Sequence, residues 1–259
     1  MVCWILREDL NFHPYKMVMV QGKYQDTVNW KTVCEVLLNA LDNDNLNHVL
    51  MTDEANFHLC GNVNSQNCHY WATENPRDIQ QKTLRFEKVI VWCGVASFGV
   101  IGHYFFEEEA GRAVTVNSAR YTEMLHTFLE PELQRRVETQ TLWFQQDGAI
   151  AHTARTEMRV LNEMFPARTT SWRGNIACPA RSPDLNVCDF FLRGYLKSKV
   201  YKKKRRTMVD LKQNIRDEVA VISPTMLQQV MQNFQKRLWE CVDNKGHHLT
   251  DTIFKKWTL

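Results

Sequence analysis

Apolar residues along this chain recur at two different spacings, and the switches between them lay out a fold. Near the N-terminus Leu6 and Leu10, then Val33, Val36, Leu37, Leu38 and Leu41, fall at helical intervals, so residues 1 to about 46 read as helical. His13-Pro14 interrupts the first run, because the residue before a proline is pushed out of the α region. The polar stretch Asp42-Asn43-Asp44-Asn45 ends the second. The pattern then changes. His48 to Thr52 is a short apolar run ending at Asp53. Lys88 to Ser97 (KVIVWCGVAS) is continuous and rich in β-branched and aromatic residues, as expected of a strand buried on both faces. Phe98-Gly99 marks a turn, and Val100 to Phe106 reads as the hairpin partner. Thr141 to Gln146 is a further strand, ending at Asp147.

Helical spacing surrounds that last strand. Asn117 or Ser118 is placed to cap a helix carrying Tyr121, Met124, Leu125, Phe128 and Leu129. Thr153 to Met164 predicts a second helix, and Pro183 to about Val200 a third, with Ser182 in the capping position before Pro183. Thr207 to about Val221 and Ser223-Pro224 to about Val242 predict two more. Strands followed by helices, with a strand inserted among them, make a mixed α/β pattern.

Composition adds little to this and excludes much. The chain has 259 residues, 44% hydrophobic and 24% charged, as in an ordinary folded protein rather than a disordered or low-complexity one. No apolar run approaches the roughly 20 residues of a membrane span, so no membrane partner is expected. The eight cysteines are scattered, form no C-x-x-C pair and follow no signal peptide, which predicts a reducing compartment, cytosol or nucleus. The net charge of +3 is unremarkable, but its distribution is not. Lys197, Lys199, Lys202, Lys203, Lys204, Arg205 and Arg206 form a run with no acid among them, either a solvated helix end or a nucleic-acid contact.

Three acids are candidates for chemistry. Asp53 and Asp147 stand at predicted strand ends, where sites assemble in open α/β sheets. Asp189 lies on a predicted helix, with Leu192 and Leu196 following at one and two turns, so it sits at the edge of a buried face. Three converging carboxylates would form a hard-oxygen site suited to Mg²⁺ or Mn²⁺. Two such ions, about 4 Å apart, can clamp a phosphodiester for in-line displacement. On spacing alone, strands that merely happen to end in Asp explain the same residues. His58, Cys60, Cys68 and His69 form an H-x-C … C-H cluster whose donors would suit zinc but whose spacing is not that of a standard finger.

The flanking strings weigh more. Asp53 stands in LMTDEANFHL, Asp147 in WFQQDGAIAHTA and Asp189 in CPARSPDLNVCDFFLRGYLKSKVY. In this order they resemble the mariner-like DDE/D transposases, over roughly residues 5 to 245. The resemblance implies an RNase H-like mixed sheet flanked by helices. It makes Asp53, Asp147 and Asp189 the catalytic, metal-binding triad for two Mg²⁺ or Mn²⁺ ions. It implies an endonuclease and strand-transfer activity in DNA transposition and integration, acting on double-stranded DNA at transposon ends and target. A homodimer and a nuclear location go with it. It divides the chain into a remnant of a second helix-turn-helix plus helical linker (1–46), the catalytic domain (47–206) and C-terminal helices packed on it (207–259). Arg181 and the basic run would line the DNA path, with Trp172 and Arg173 as stacking candidates and Tyr195 as core packing. His152 is a DNA-phosphate candidate, with simple helix N-terminal packing preferred.

Departures from the family pattern point the other way. Ile150 stands where the family has Pro, and Arg193 where it has Trp, a costly exchange at an apolar position unless the side chain snorkels. The linker QGKYQDTVNWKTVCE is drifted, and only about a dozen residues precede HPYK (His13 to Lys16), where the family carries two helix-turn-helix units. End recognition is therefore expected to be lost or the reading frame truncated. The alternative expectation is a catalytically decayed or domesticated nucleic-acid-binding relic. A nuclease acting on RNA–DNA hybrids shares the fold logic.

Overall fold

The computed structural model describes residues 24–40, 48–60, 87–136, 141–177, 183–202, 207–247 and 249. Leu6, Leu10, Leu41, the HPYK string, Ser182, Cys68 and His69 lie outside them. Six strands form one mixed sheet: β1 (Val49–His58), β2 (Lys88–Ala96), β3 (Gly99–Phe105), β4 (Trp143–Gln145), β5 (Thr169–Ser171) and β6 (Ile176–Ala177). Their order across the sheet is β3-β2-β1-β4-β5-β6. β1, β2 and β3 pair antiparallel, while β4, β5 and β6 join parallel to β1 and to one another.

β2 is the strand read from the unbroken apolar run, and its alternate residues serve two cores. Val89, Val91, Cys93 and Val95 pack on one side of the sheet, Ile90, Trp92 and Ala96 on the other. The first core is closed by α1 (Tyr24–Ala40), α4 (Arg193–Val200), α5 (Met208–Ala220) and α6 (Pro224–Asp243). The second is closed by α2 (Ser118–Met124), which runs on through a π-helical turn at Leu125–Leu129 into Glu130–Gln134, and by α3 (Arg155–Met164). Gly94, opposite Thr52 in the β1–β2 ladder, is a glycine because a Cβ there would lie 2.7 Å from Leu50 Cδ1. Asn117 caps α2 through its side-chain oxygen, which accepts the Arg120 N–H at 2.9 Å.

Two expectations are corrected, and two short strands were not foreseen. β1 does not stop at Thr52; it continues through Asp53 and Glu54 to His58, each residue from Met51 onward paired with β2. Pro183–Leu185 is a 3₁₀ turn, and the helix proper is entered through a π turn at Cys188–Leu192. There the Asn186 side-chain oxygen accepts the Cys188 N–H at 2.9 Å. β5 and β6, three and two residues long, carry too few positions for any periodicity to show.

Candidate active site at the sheet edge

Parallel pairing between β1 and β4 ends at Met51↔Gln145, and the acids lie just past that point. Asp53 follows two residues later on β1, and Asp147 two residues after the last residue of β4. Asp189 comes from the π turn ahead of α4. That turn is fastened to the same strand ends. The Asn186 amide donates to the Thr52 carbonyl at 3.2 Å, Gln145 Nε2 donates to the Leu185 carbonyl at 3.1 Å, and the Cys188 thiol donates to the Met51 carbonyl at 3.1 Å. Thr52 Oγ1 donates to the Gln145 carbonyl at 3.0 Å, tying the two acid-bearing strands together.

The three carboxylates share one electrostatic neighbourhood. Asp53, almost fully covered, has its pKa pushed up to about 7, first by burial and then by the negative charge of Asp189, with Glu54 and Asp147 adding to it. Asp189 is likewise raised by burial, and by Asp147 and Asp184, although Arg193 opposes this. For Asp147 burial also raises the pKa. The hydrogen bond and charge of His152, helped by the Ala149 N–H at 3.0 Å, outweigh it and hold the carboxyl below its ordinary value.

Two internal cations answer these charges. Arg193 Nη2 pairs with Asp53 Oδ2, and Nη1 with Asp189 Oδ1 at 2.9 Å, so one guanidinium bridges two of the three carboxylates. The cost foreseen for an Arg at this position is offset by ion pairs: the side chain, 38% exposed, reaches Asp53 and Asp189 with its guanidinium. His152 is 2% exposed, with Nδ1 2.6 Å from Asp147 Oδ1 and Nε2 3.3 Å from Glu54 Oε2. Burial by itself lowers the imidazole pKa, but Asp147 and Glu54 together push it up to about 10. His152 is thus enclosed beside the acids. Its carbonyl accepts from Gln146 Nε2 at 2.8 Å, and the Tyr121 hydroxyl donates to Gln146 Oε1 at 2.8 Å.

Glu54, Gln146 and Asn186 were not singled out as site residues from sequence, and Tyr121 was named only as a helix core position. Their only signal there is polarity at positions that strand alternation or core spacing would bury. The basic run is placed in part. Lys197 lies within the field of Arg193 and Asp53, and Lys199 sits over the Tyr195 ring at 5.5 Å. Lys202 follows α4, and Tyr195 stacks on Phe191 at 5.5 Å. Trp172 is exposed. Arg181, Lys203, Lys204, Arg205 and Arg206 lie outside the described residues.

The sequence matches no protein-family model and no curated protein. Solved structures do match. The mariner Mos1 paired-end complex with Mg aligns at TM-score 0.75 and 21% identity, over 95% of this chain and 70% of that one. The Mos1 mariner transposase catalytic domain aligns at TM-score 0.68 and 20% identity, over 90% and 99%. The chain has the fold of a mariner transposase catalytic domain. The same domain with raltegravir and Mn aligns at TM-score 0.67 and 19% identity, over 91% and 99%. This RNase H-like fold agrees with the architecture expected from sequence.

Within the transposase fold, the carboxylates suit Mg²⁺ or Mn²⁺ in kind, being oxygen donors at a place with surplus negative charge. Among the described residues, however, no group of three His, Cys, Asp or Glu side chains is closed into a metal cage. Arg193 pairs with one oxygen of each of Asp53 and Asp189. Among the described residues, too, no helix is long and apolar enough to cross a membrane.

Proposed function

We propose that this chain is a DNA transposase catalytic domain that performs phosphodiester hydrolysis and strand transfer on double-stranded DNA at transposon ends and target. What supports this reading is the Arg193 bridge between Asp53 and Asp189 beside the central strands of an RNase H-like sheet, with Asp147 inside the same electrostatic field. Asp53, Asp147 and Asp189 would hold divalent ions, and Mg²⁺ or Mn²⁺ there would supply activation of the attacking hydroxyl and charge stabilisation at the leaving oxygen. His152 orients the Asp147 carboxylate, and the backbone ties of Asn186 and Gln145 keep the Asp189 segment against the strand ends. The structures it resembles include paired-end complexes, which supports two DNA ends and a homodimer as partners. A nuclear location follows from a DNA substrate. Residues 1–46, 47–206 and 207–259 are read as linker, catalytic and C-terminal helical parts. Arg181, Lys197, Lys199 and Lys202 to Arg206 are read as lining the DNA path.

A second reading is favoured by the Arg193 bridge: a decayed relic that binds DNA without cutting it. Incubation of supercoiled plasmid with Mn²⁺ separates the two. Nicking by the wild type that is lost in Asp147→Ala supports the transposase reading. Salt-sensitive binding without nicking supports the relic. Faster cleavage of an RNA–DNA hybrid than of duplex DNA would overturn the choice of substrate.

A further inference from the structure

Arg193 is the feature of this site that a metal-binding reading does not explain. Its two terminal nitrogens are spent on Asp53 and Asp189, and Nη2 also approaches the Glu54 carbonyl at 3.5 Å. Its Nε is buried with no hydrogen-bond partner. A guanidinium serving only to stitch the fold would be expected to satisfy all its donors, because an orphaned buried N–H is costly. Here the two carboxylates and the Glu54 carbonyl hold it, and Nε is left over. The bridged oxygens are Asp53 Oδ2 and Asp189 Oδ1, one from β1 and one from the π turn, so the guanidinium spans the gap between two elements. A divalent ion shared by those carboxylates would have to use the same gap. Two cations cannot pair with the same carboxylate oxygens together, and a guanidinium beside a divalent ion repels it.

We propose that Arg193 is a built-in counter-ion that competes with divalent metal for Asp53 and Asp189, so that an ion binds there only by displacing the guanidinium. The inference rests on the reading of the three aspartates as a metal site. It makes that site closed in the metal-free protein, and it makes Arg193 the residue that sets its metal affinity. Asp147 is outside the bridge and stays available as a ligand, oriented by His152.

The test uses Mn²⁺ alone, in the absence of DNA, on the full chain. Free Mn²⁺ is followed by its six-line paramagnetic resonance signal as protein is added. Arg193→Gln, which is near in length but uncharged, should bind Mn²⁺ at least tenfold more tightly than the wild type. The double variant Arg193→Gln with Asp189→Asn should lose that gain, which locates the ion. Equal affinity in wild type and Arg193→Gln, whether tight or weak, would overturn the proposal, as would a gain that persists in the double variant. Should Arg193→Gln fail to fold, Arg193→Lys keeps a charge but not the two-pronged bridge. A gain of at least threefold is then expected, and none in a folded Lys variant overturns the idea. The two readings fail separately. Tight Mn²⁺ binding by Arg193→Gln without plasmid nicking sinks the transposase activity and leaves this competition standing.

Discussion

Asp53 and Glu54 are consecutive in the chain yet belong to different cations. Strand alternation sends Asp53 toward α4, where Arg193 meets it, and Glu54 toward α2 and α3, where His152 meets it. Each face of β1 therefore carries its own charge pair. Asp147 joins the two systems, being bonded to His152 while sharing the field of Asp53 and Asp189.

His152→Ala should destabilise the protein by roughly 2–3 kcal/mol, because it strips the partner from Glu54 and from Asp147 at once. The half-exposed Asp147 limits the cost, since water can reach it. Urea denaturation followed by tryptophan fluorescence measures this. A shift under about 0.5 kcal/mol, the range of an ordinary surface substitution, would mean that the imidazole is neutral and the bridge weak.

Asp53 should make stability fall as pH rises. Its folded pKa of about 7 lies above the ordinary value of 3.8, so the native state favours the protonated carboxyl. The stabilisation is fully present below about pH 3.8 and is lost as pH climbs through about 7, an effect on the order of a few kcal/mol. His152 acts with the same sign at higher pH. Its contribution is present below about 6.5 and lost as pH rises through about 10. Thermal midpoints between pH 4 and 10, with Asp53→Asn flattening the lower limb, provide the check. A midpoint that rises steadily from pH 4 to 7, and no less in Asp53→Asn, would contradict the assignment.

Gly94→Val should cost about 1–3 kcal/mol, because the new Cβ meets Leu50 Cδ1 at 2.7 Å between two central strands. Leu50→Ala should cost less in the Gly94→Val background than in the wild type, a partial rescue read from the double-mutant cycle. Failure of that rescue in calorimetric unfolding would show that backbone conformation, not the side-chain clash, governs the position.

Tyr121→Phe removes a fully buried hydroxyl that donates to Gln146 Oε1 and should cost about 1 kcal/mol by leaving that oxygen unpaired. Its wider effect should be on Asp147, since Gln146 also holds the His152 carbonyl. A changed carbon-13 chemical shift of the Asp147 carboxyl at neutral pH is the expected signature.

What could be read from the chain follows from how local each signal is. β2 was legible because the unbroken apolar run from Val89 to Ala96 leaves a single interpretation, and α6 because its apolar stripe runs from Leu227 to Cys241. Leu192 and Leu196, read as the buried side of the segment that carries Asp189, are both buried. β1 was cut short because Asp53-Glu54 looks like a polar end when the charges that neutralise it are out of sight. Arg193 lies 140 residues from Asp53 in sequence, so its partner could not be seen, and only its oddity against the family pattern marked it. His152, preferred from sequence as helix packing, is indeed enclosed, but its ion pairs depend on Glu54 from a distant strand.

The π turn at Cys188–Leu192 holds one residue more than an α-helical turn would over the same span. That surplus residue sets the rotational phase between Asp189 and the buried Leu196 and Val200 further along. Deleting it would swing the two halves of the segment about 100° apart. A one-residue indel, harmless in a surface loop, would here force a choice between keeping the acid on the sheet edge and keeping the leucine in the core.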